Sequence, residues 1–315
     1  MRCALIYNPV AGQNRHKRSA LLGEIQEKLV GLGHSVDLIP TTASGSAAAQ
    51  ARDAIANGAE IVFACGGDGT VHDVLQGYLS RENNSAVCMG ILPMGSANAL
   101  ARHLGLSLDP MTAALQQIEG EAVTLPVGKL VASKFSRYFT VMAGMGSDGL
   151  LAYEVVAIHK STLGRLAYYL HAARLFMTRP LSLFEVEYLD SASDALHTRR
   201  AVSVMAVRIH NLGGLFSHLI PRKESISSEH LRVILLTSPA LLSLPLWFLF
   251  GWLRLHAWNP FLHSISVRRL VCRPLSDEPH FQADGEWLGR GQIELSLIPD
   301  ALRLRLPAGS QTRIR

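Results

Sequence analysis

The sequence is poor in the residues that mark several common kinds of protein. Only four of its 315 residues are cysteine (Cys3, Cys65, Cys88 and Cys272), and none stand at the C-x-x-C spacing of a zinc or redox centre. Three of them lie in or beside apolar runs, so they read as buried thiols of a reducing compartment rather than a disulfide framework. The 13 histidines include no H-E-x-x-H pair. Charged residues are scarce, at 17%, against 48% apolar, and mean hydropathy is +0.19. That balance excludes a disordered or purely solvated chain. A dense Lys/Arg stripe is also missing, and a net charge of +5 excludes nothing but gives no reason to expect nucleic acid as a partner. No internal repeat or low-complexity tract is present. The most apolar stretch, 239–255, is short for a membrane span, interrupted by Pro245 and closed by Arg254, and reads as a buried or interfacial helix. MRCALIYNP at the N-terminus lacks the apolar core and cleavage site of a signal peptide, so a cytoplasmic setting is expected.

The charge that is present is uneven. The first 198 residues hold 15 basic and 17 acidic residues, and the remainder holds 15 basic and 8 acidic. A mildly acidic front and a basic back suggest two regions with different partners. At 34.3 kDa the chain is long enough for two domains.

The rhythm of the sequence divides in the same way. ALIYN, HSVDLIP, EIVFAC and VCMGILP are short strand-like runs, and helix-like segments stand between them, including an Ala-rich one at 46–57. Strand and helix alternating over short connections is the pattern of a doubly wound parallel α/β domain. From about Pro126 the pattern changes to KFSRYFTVMA, LFEVEYL, RAVSVMAVRI, LRVILL, SISVRRLVC, QIELSLI and LRLRL. Two long helical segments, near 163–177 and 241–256, interrupt these strands, and a β-sandwich is expected. The fold class is therefore α/β + β. By this rhythm the domains are 1–125 and 126–301, followed by one more strand-like run in 302–315.

Three turns carry the chemistry of the first domain. Gly66-Gly67-Asp68-Gly69-Thr70 follows a buried strand and opens a helix, where ligands of parallel sheets bind. Its glycines let backbone N–H groups approach a phosphate, and Thr70 with Asp73 could cap the helix. A carboxylate such as Asp68 is repulsive in a phosphate loop unless it holds a cation, a hydroxyl or water. A second turn, Pro93-Met94-Gly95-Ser96-Ala97-Asn98, follows the next strand, with Ser96 placed to cap the following helix and Asn98 able to reach a phosphate or the neighbouring turn. The first strand ends in Asn8-Pro9-Val10-Ala11-Gly12, with Arg15, Lys17 and Arg18 just beyond. A tight turn without function is the bland alternative for each one, and three in succession argue against it.

There is no GxxxxGK[ST]. Gly144-Met145-Gly146-Ser147-Asp148-Gly149 has the GxGxxG form, but the acidic residue that a dinucleotide site needs some 20 positions on is missing, so Asp148 is kept only as a cleft candidate. Asp284-Gly285-Glu286 reads as a hairpin turn whose carboxylates can also supply a general base.

Taken together these segments resemble the diacylglycerol kinase catalytic-domain family in its bacterial lipid-kinase branch. The resemblance rests on NPVAG at 8–12, Thr41, GGDGT at 66–70, LPMGSANALAR at 92–102, GMGSDG at 144–149, Asn211 and DGE at 284–286. It implies an ATP- and Mg²⁺-dependent phosphotransferase that moves the γ-phosphoryl group to a lipid hydroxyl, with a diacylglycerol-like lipid favoured, and a last strand in 302–315 that returns to complete the domain 1–125. The residues it implies for nucleotide are Asn8, Pro9, Val10, Ala11, Gly12, Thr41, Gly66, Gly67, Asp68, Gly69, Thr70, Val71, Gly95, Ser96 and Asn98. Asp68 would organise Mg²⁺, and Glu286, with Asp284 beside it, would accept the proton. The lipid would be met at a membrane surface, peripherally from the cytoplasmic side. The basic back half with the Trp- and Phe-rich segment 247–258 suits an anionic surface, a core helix being the alternative for that segment. A homodimer stays open.

The chain departs from that family at two places. Ala99 stands where many members have a carboxylate. Ser227 and Ser228 replace two more of a structural metal site and leave Glu229, which argues against such a site here. A catalytically silent nucleotide- or lipid-binding regulator is therefore the alternative, with a NAD-kinase-like enzyme behind it.

Overall fold

The computed structural model describes residues 1–9, 15–43, 45–80, 86–158, 181–191, 195–209, 225–238, 243–253, 255, 258–307 and 310. The expected helix at 163–177, Asn211, and Val10, Ala11 and Gly12 lie outside the described residues. The backbone separates into two compact units, Met1–Val127 with Pro299–Arg315, and Gly128–Ile298.

In the first unit four parallel strands, β1 (Arg2–Tyr7), β2 (Ser35–Pro40), β3 (Ile61–Gly66) and β4 (Cys88–Pro93), run in the order β4-β3-β1-β2. Every residue of β3 and β4 is buried, as expected where helices cover both faces of a parallel sheet. Those helices are α1 (Arg15–Gly31), α2 (Ser46–Ala56), α3 (Asp68–Tyr78), α4 (Ala99–His103) and α5 (Pro110–Glu119). The Ala-rich α2 buries Ala47, Ala51 and Ala54. It lies so close to α3 that a Cβ on Gly77 would fall 2.0 Å from the carbonyl oxygen of Ala48. The registers Tyr7↔Pro40, Tyr7↔Cys65 and Gly66↔Pro93 bring all four strand ends to one edge of the sheet.

The second unit is antiparallel. Its strands are the end of β5 (Glu121–Ala132), then β6 (Phe135–Phe139), β7 (Met142–Gly146), β8 (Phe184–Asp190), β9 (Leu196–Ala201), β10 (Ser203–Val207), β11 (Leu231–Leu236), β12 (Leu262–Pro274), β13 (His280–Ala283), β14 (Glu286–Arg290) and the start of β15 (Ile293–Leu306). Two helices, α6 (Ser147–Ile158) and α7 (Ser243–Trp252), accompany them. One array runs β14-β13-β7-β10-β11-β12. After a register shift between Val267 and Leu270, β12 passes into a second array with β8 and β15. Side chains of both arrays meet in one core, including Met145, Val204, Val233 and Phe281 from the first and Val186, Tyr188 and Leu295 from the second. This is a sandwich whose corner is turned by one long irregular strand.

Two runs depart from their sequence reading. KFSRYFTVMA divides into β6 and β7 because Thr140 and Val141 turn their N–H groups away from the ladder. QIELSLI and LRLRL join in one strand, β15, which continues through Pro299 and a left-handed Asp300 (φ 47°) and ends beside β4. Among the described residues no helix is long and apolar enough to cross a membrane.

Candidate functional site

The parallel unit gathers its turns tightly. Gly67 and Gly95 pack backbone against backbone: a Cβ on Gly95 would lie 2.4 Å from the Cα of Gly67. Gly66 makes room for Thr70, whose Oγ1 would be 2.3 Å from a Cβ there. Thr70 is thus a packing neighbour within the first turn of α3 and not its cap; the cap position is Gly67, with no side-chain bond. The first helical hydrogen bond of α3 runs from Val71 N–H to Gly67 O (3.1 Å), so the amides of residues 68–70 precede the helical ladder, as suits an anion. Val71 itself turns into the core.

Asp68 joins the two turns. Its Oδ1 accepts the Ala99 N–H at 2.7 Å, which satisfies an orphan amide at the start of α4. Ser96 does not cap α4, which instead follows a left-handed Asn98 (φ 48°). Asn98 closes its own turn, accepting from Gly95 N–H at 2.9 Å and donating to Gly95 O at 2.8 Å, and does not extend to the neighbouring one. Gly95 and Ser96 are left exposed. Arg18 Nη2 donates to Met94 O at 3.0 Å and so places a cation beside the second turn. Asn8 and Pro9 follow β1, and Thr41 follows β2 with its N–H on Tyr7 O (2.8 Å). The edge therefore collects backbone donors, one carboxylate and an arginine.

In the sandwich unit Asp284 and Gly285 both have positive φ (48° and 86°), the geometry of a two-residue hairpin turn between β13 and β14. Both oxygens of Asp284 are engaged. Oδ2 accepts Thr140 N–H at 3.0 Å, and Oδ1 accepts Val141 and Met142 N–H at 2.8 and 3.0 Å. Asp284 is thus the residue that pins the hairpin to the chain ahead of β7. Glu286, half-buried, begins β14.

Below this turn lies a pair that the sequence reading did not assemble. Asp148 Oδ2 accepts Gln282 Nε2 at 2.9 Å, and Gln282 Oε1 accepts Gly285 N–H at 2.9 Å. Burial pushes the Asp148 carboxyl up to about 6, against the lowering effect of the Gln282 bond. Because the folded value exceeds the unfolded one near 3.8, the native state binds the extra proton, and stability declines as pH rises from about 4 through 6. Asp148→Asn should therefore raise the unfolding free energy at pH 8 by on the order of 2–3 kcal/mol, with the gain fading by pH 4. Denaturant melts at the two pH values check this.

The region of the doubted metal site is organised by a guanidinium. Arg208, 4% exposed, donates to the carbonyl oxygens of Ser228 and His230, both at 3.3 Å, and to that of Ile226. Ser225 and Ser227 share a 2.7 Å hydroxyl contact. Among the described residues no group of three or more His, Cys, Asp or Glu side chains is placed to hold a metal ion. The four cysteines are buried and unpaired, with burial raising Cys3 to about 11 and Cys65 and Cys272 further.

Residues 2–130 match the diacylglycerol kinase catalytic domain. The diacylglycerol kinase of Bacillus subtilis (strain 168) is 30% identical over 221 residues, which cover 70% of this chain and 69% of that protein. That of Staphylococcus saprophyticus is 31% identical over 189 residues, 60% of this chain and 59% of the other. A diacylglycerol kinase crystal structure from Bacillus anthracis str. Sterne shares the fold at a TM-score of 0.71 and 19% identity, covering 98% of this chain and 97% of that one. The ATP complex of an NAD kinase from Archaeoglobus fulgidus shares it more loosely, at 0.57 and 14%, over 100% and 96% of the two chains. An alignment of 221 residues cannot fit within 2–130, so the likeness to the Bacillus subtilis enzyme continues into the sandwich unit. At 30% identity over more than two thirds of both chains, the protein belongs to the diacylglycerol kinase family.

Proposed function

We propose that this protein is an ATP- and Mg²⁺-dependent lipid kinase that phosphorylates the hydroxyl of a diacylglycerol-like lipid. The observation that carries the reading is the Asp68–Ala99 bond, which fixes two glycine turns side by side at the carboxyl edge of a parallel sheet. Phosphoryl transfer asks mainly for positioning and charge neutralisation. Gly67, Gly69 and Thr70 offer backbone amides to phosphate oxygens, and Arg18 adds positive charge near the Gly95 turn. Asn8, Pro9 and Thr41, at the ends of the two neighbouring strands, border the nucleotide.

The donors present fit Mg²⁺ in the manner of kinases, where one or two carboxylates suffice because phosphate oxygens and water complete the shell. Asp68 is the carboxylate that would hold it, and the ion would offset charge on the transferred phosphoryl. Glu286 accepts the proton of the lipid hydroxyl, while Asp284, saturated by backbone donors, positions the turn.

A lipid substrate must be met at a bilayer. Trp252 and Trp258 are 63% and 75% exposed, and Leu249, Leu253 and Leu255 are exposed with them. Large apolar side chains beside a basic half suit an anionic interface. The protein should bind phosphatidylglycerol vesicles and less so at high salt, and Trp252→Ser with Trp258→Ser should weaken binding by about tenfold or more. Failure to sediment with any vesicle would count against this part of the reading.

The enzymatic claim is tested by incubating the protein with labelled ATP, Mg²⁺ and a panel of diacylglycerol, monoacylglycerol, sphingoid base, polyprenol and phosphatidylglycerol. Label in the lipid phase supports it. Nucleotide binding with no labelled lipid would favour the silent regulator.

A further inference from the structure

The segment 144–149 has the form of a nucleotide fingerprint but serves none of the steps above, yet it is tightly constrained. A Cβ on Gly144 would lie 2.3 Å from Asp148 Oδ2, one on Gly146 2.1 Å from Val202 O, and one on Gly149 2.2 Å from His280 O. Gly146 also has a φ of +100°. Ser147 Oγ bonds Ser203 Oγ at 2.7 Å, which fixes the start of α6 on β10. Farther along α6, the Tyr153 ring packs 4.7 Å from His280 and 5.0 Å from Trp287, on the two strands of the hairpin.

What these contacts hold in place is the Asp148 carboxylate. It is 8% exposed, and among the described residues its Oδ1 has no hydrogen-bond partner. Its Oδ2 faces the amide of Gln282, which is 1% exposed. An amide has a donor end and an acceptor end, and an ionised carboxylate can only accept. Asp148 therefore decides which way the Gln282 amide points. Reversed, the amide would set oxygen against carboxylate and NH₂ against the Gly285 N–H.

We propose that Asp148 and Gln282 form a buried relay that orients the Asp284-Gly285 turn and, through it, Glu286. Both are positioning residues. The inference rests on the reading of Glu286 given above for its effect on activity, and on the hydrogen bonds alone for its effect on the turn. Burial of the Asp148 carboxylate costs stability, and what the relay uses is its acceptor oxygen, Oδ2, on the Gln282 amide.

Exchanging the polarity of the pair tests this. Gln282→Glu places two carboxylates in contact and should lower kcat about ten- to hundredfold at pH 8, with Gly285 amide exchange accelerated by a similar factor. Asp148→Asn keeps an acceptor for the Gln282 amide and should cost less than about threefold. In the double variant Asp148→Asn/Gln282→Glu, the asparagine NH₂ donates to the glutamate, whose other oxygen accepts the Gly285 N–H. Activity and Gly285 protection should then return to within about threefold of the wild type. Should Gln282→Glu alone fail to fold, Asp148→Leu removes the acceptor without adding charge and should accelerate Gly285 exchange alone in that turn. A double variant no better than Gln282→Glu, or unchanged Gly285 exchange in both Gln282→Glu and Asp148→Leu, would overturn the relay. So would Asp148→Asn as damaging as Gln282→Glu, since the carboxylate would then act directly. If the wild-type protein phosphorylates no lipid, the kinase reading fails while Gly285 exchange still decides the relay.

Discussion

Asp68→Asn is expected to lower kcat by about a hundred- to a thousandfold while leaving the fold intact. The asparagine oxygen can still accept the Ala99 N–H, so the two glycine turns stay joined, and what is lost is the negative charge that would share Mg²⁺ with the nucleotide. Asp68→Ala loses both. It should be at least as inactive and additionally less stable by about 1 kcal/mol, the usual cost of a lost helix cap. Measuring kcat and urea unfolding for both variants separates the two roles. Full activity in Asp68→Asn would reduce Asp68 to a structural bridge.

The second large effect is at the hairpin. Glu286→Gln should reduce kcat by about 10²- to 10⁴-fold with the KM for ATP unchanged, because a general base is removed and no nucleotide contact is altered. Asp284→Asn should behave differently. Three backbone N–H groups converge on its carboxylate at 2.8–3.0 Å, and an amide has one oxygen for them instead of two. The variant should lose on the order of 1–3 kcal/mol of stability together with part of its activity. If Asp284→Asn were stable and dead while Glu286→Gln stayed active, the assignments would exchange.

How far the sequence could be read depends on the range of the interaction involved. Turns, strands and the Asp284-Gly285 hairpin are local events, and their residues announce them. The joining of GGDGT to the Gly95 turn was beyond reach, since Asp68 bonds an amide 31 residues away. Thr70 and Ser96 have capping chemistry, but close packing of Gly66, Gly67 and Gly95 left Gly67 and Asn98 at the cap positions. KFSRYFTVMA has the composition of one strand, and only Asp284, arriving from 144 residues away, explains why it breaks at Thr140. The glycines of 144–149 match a phosphate-binding pattern in form, whereas in the fold they clear space for Asp148, for β10 and for β13. Gln282 carried no signal at all, because a lone glutamine in a strand acquires meaning only from what it touches. The same holds for Arg208, whose carbonyl partners lie in a turn 18–22 residues later.

Lipid kinase activity is tested most directly by transfer of label from [γ-³²P]ATP to diacylglycerol in mixed micelles with Mg²⁺, run side by side for the wild type, Asp68→Asn and Glu286→Gln. The expected result is labelled lipid from the wild type and at least about a hundredfold less from either variant. Labelled lipid in equal amounts from all three, or none from a folded, nucleotide-binding wild type with any lipid of the panel, would contradict it.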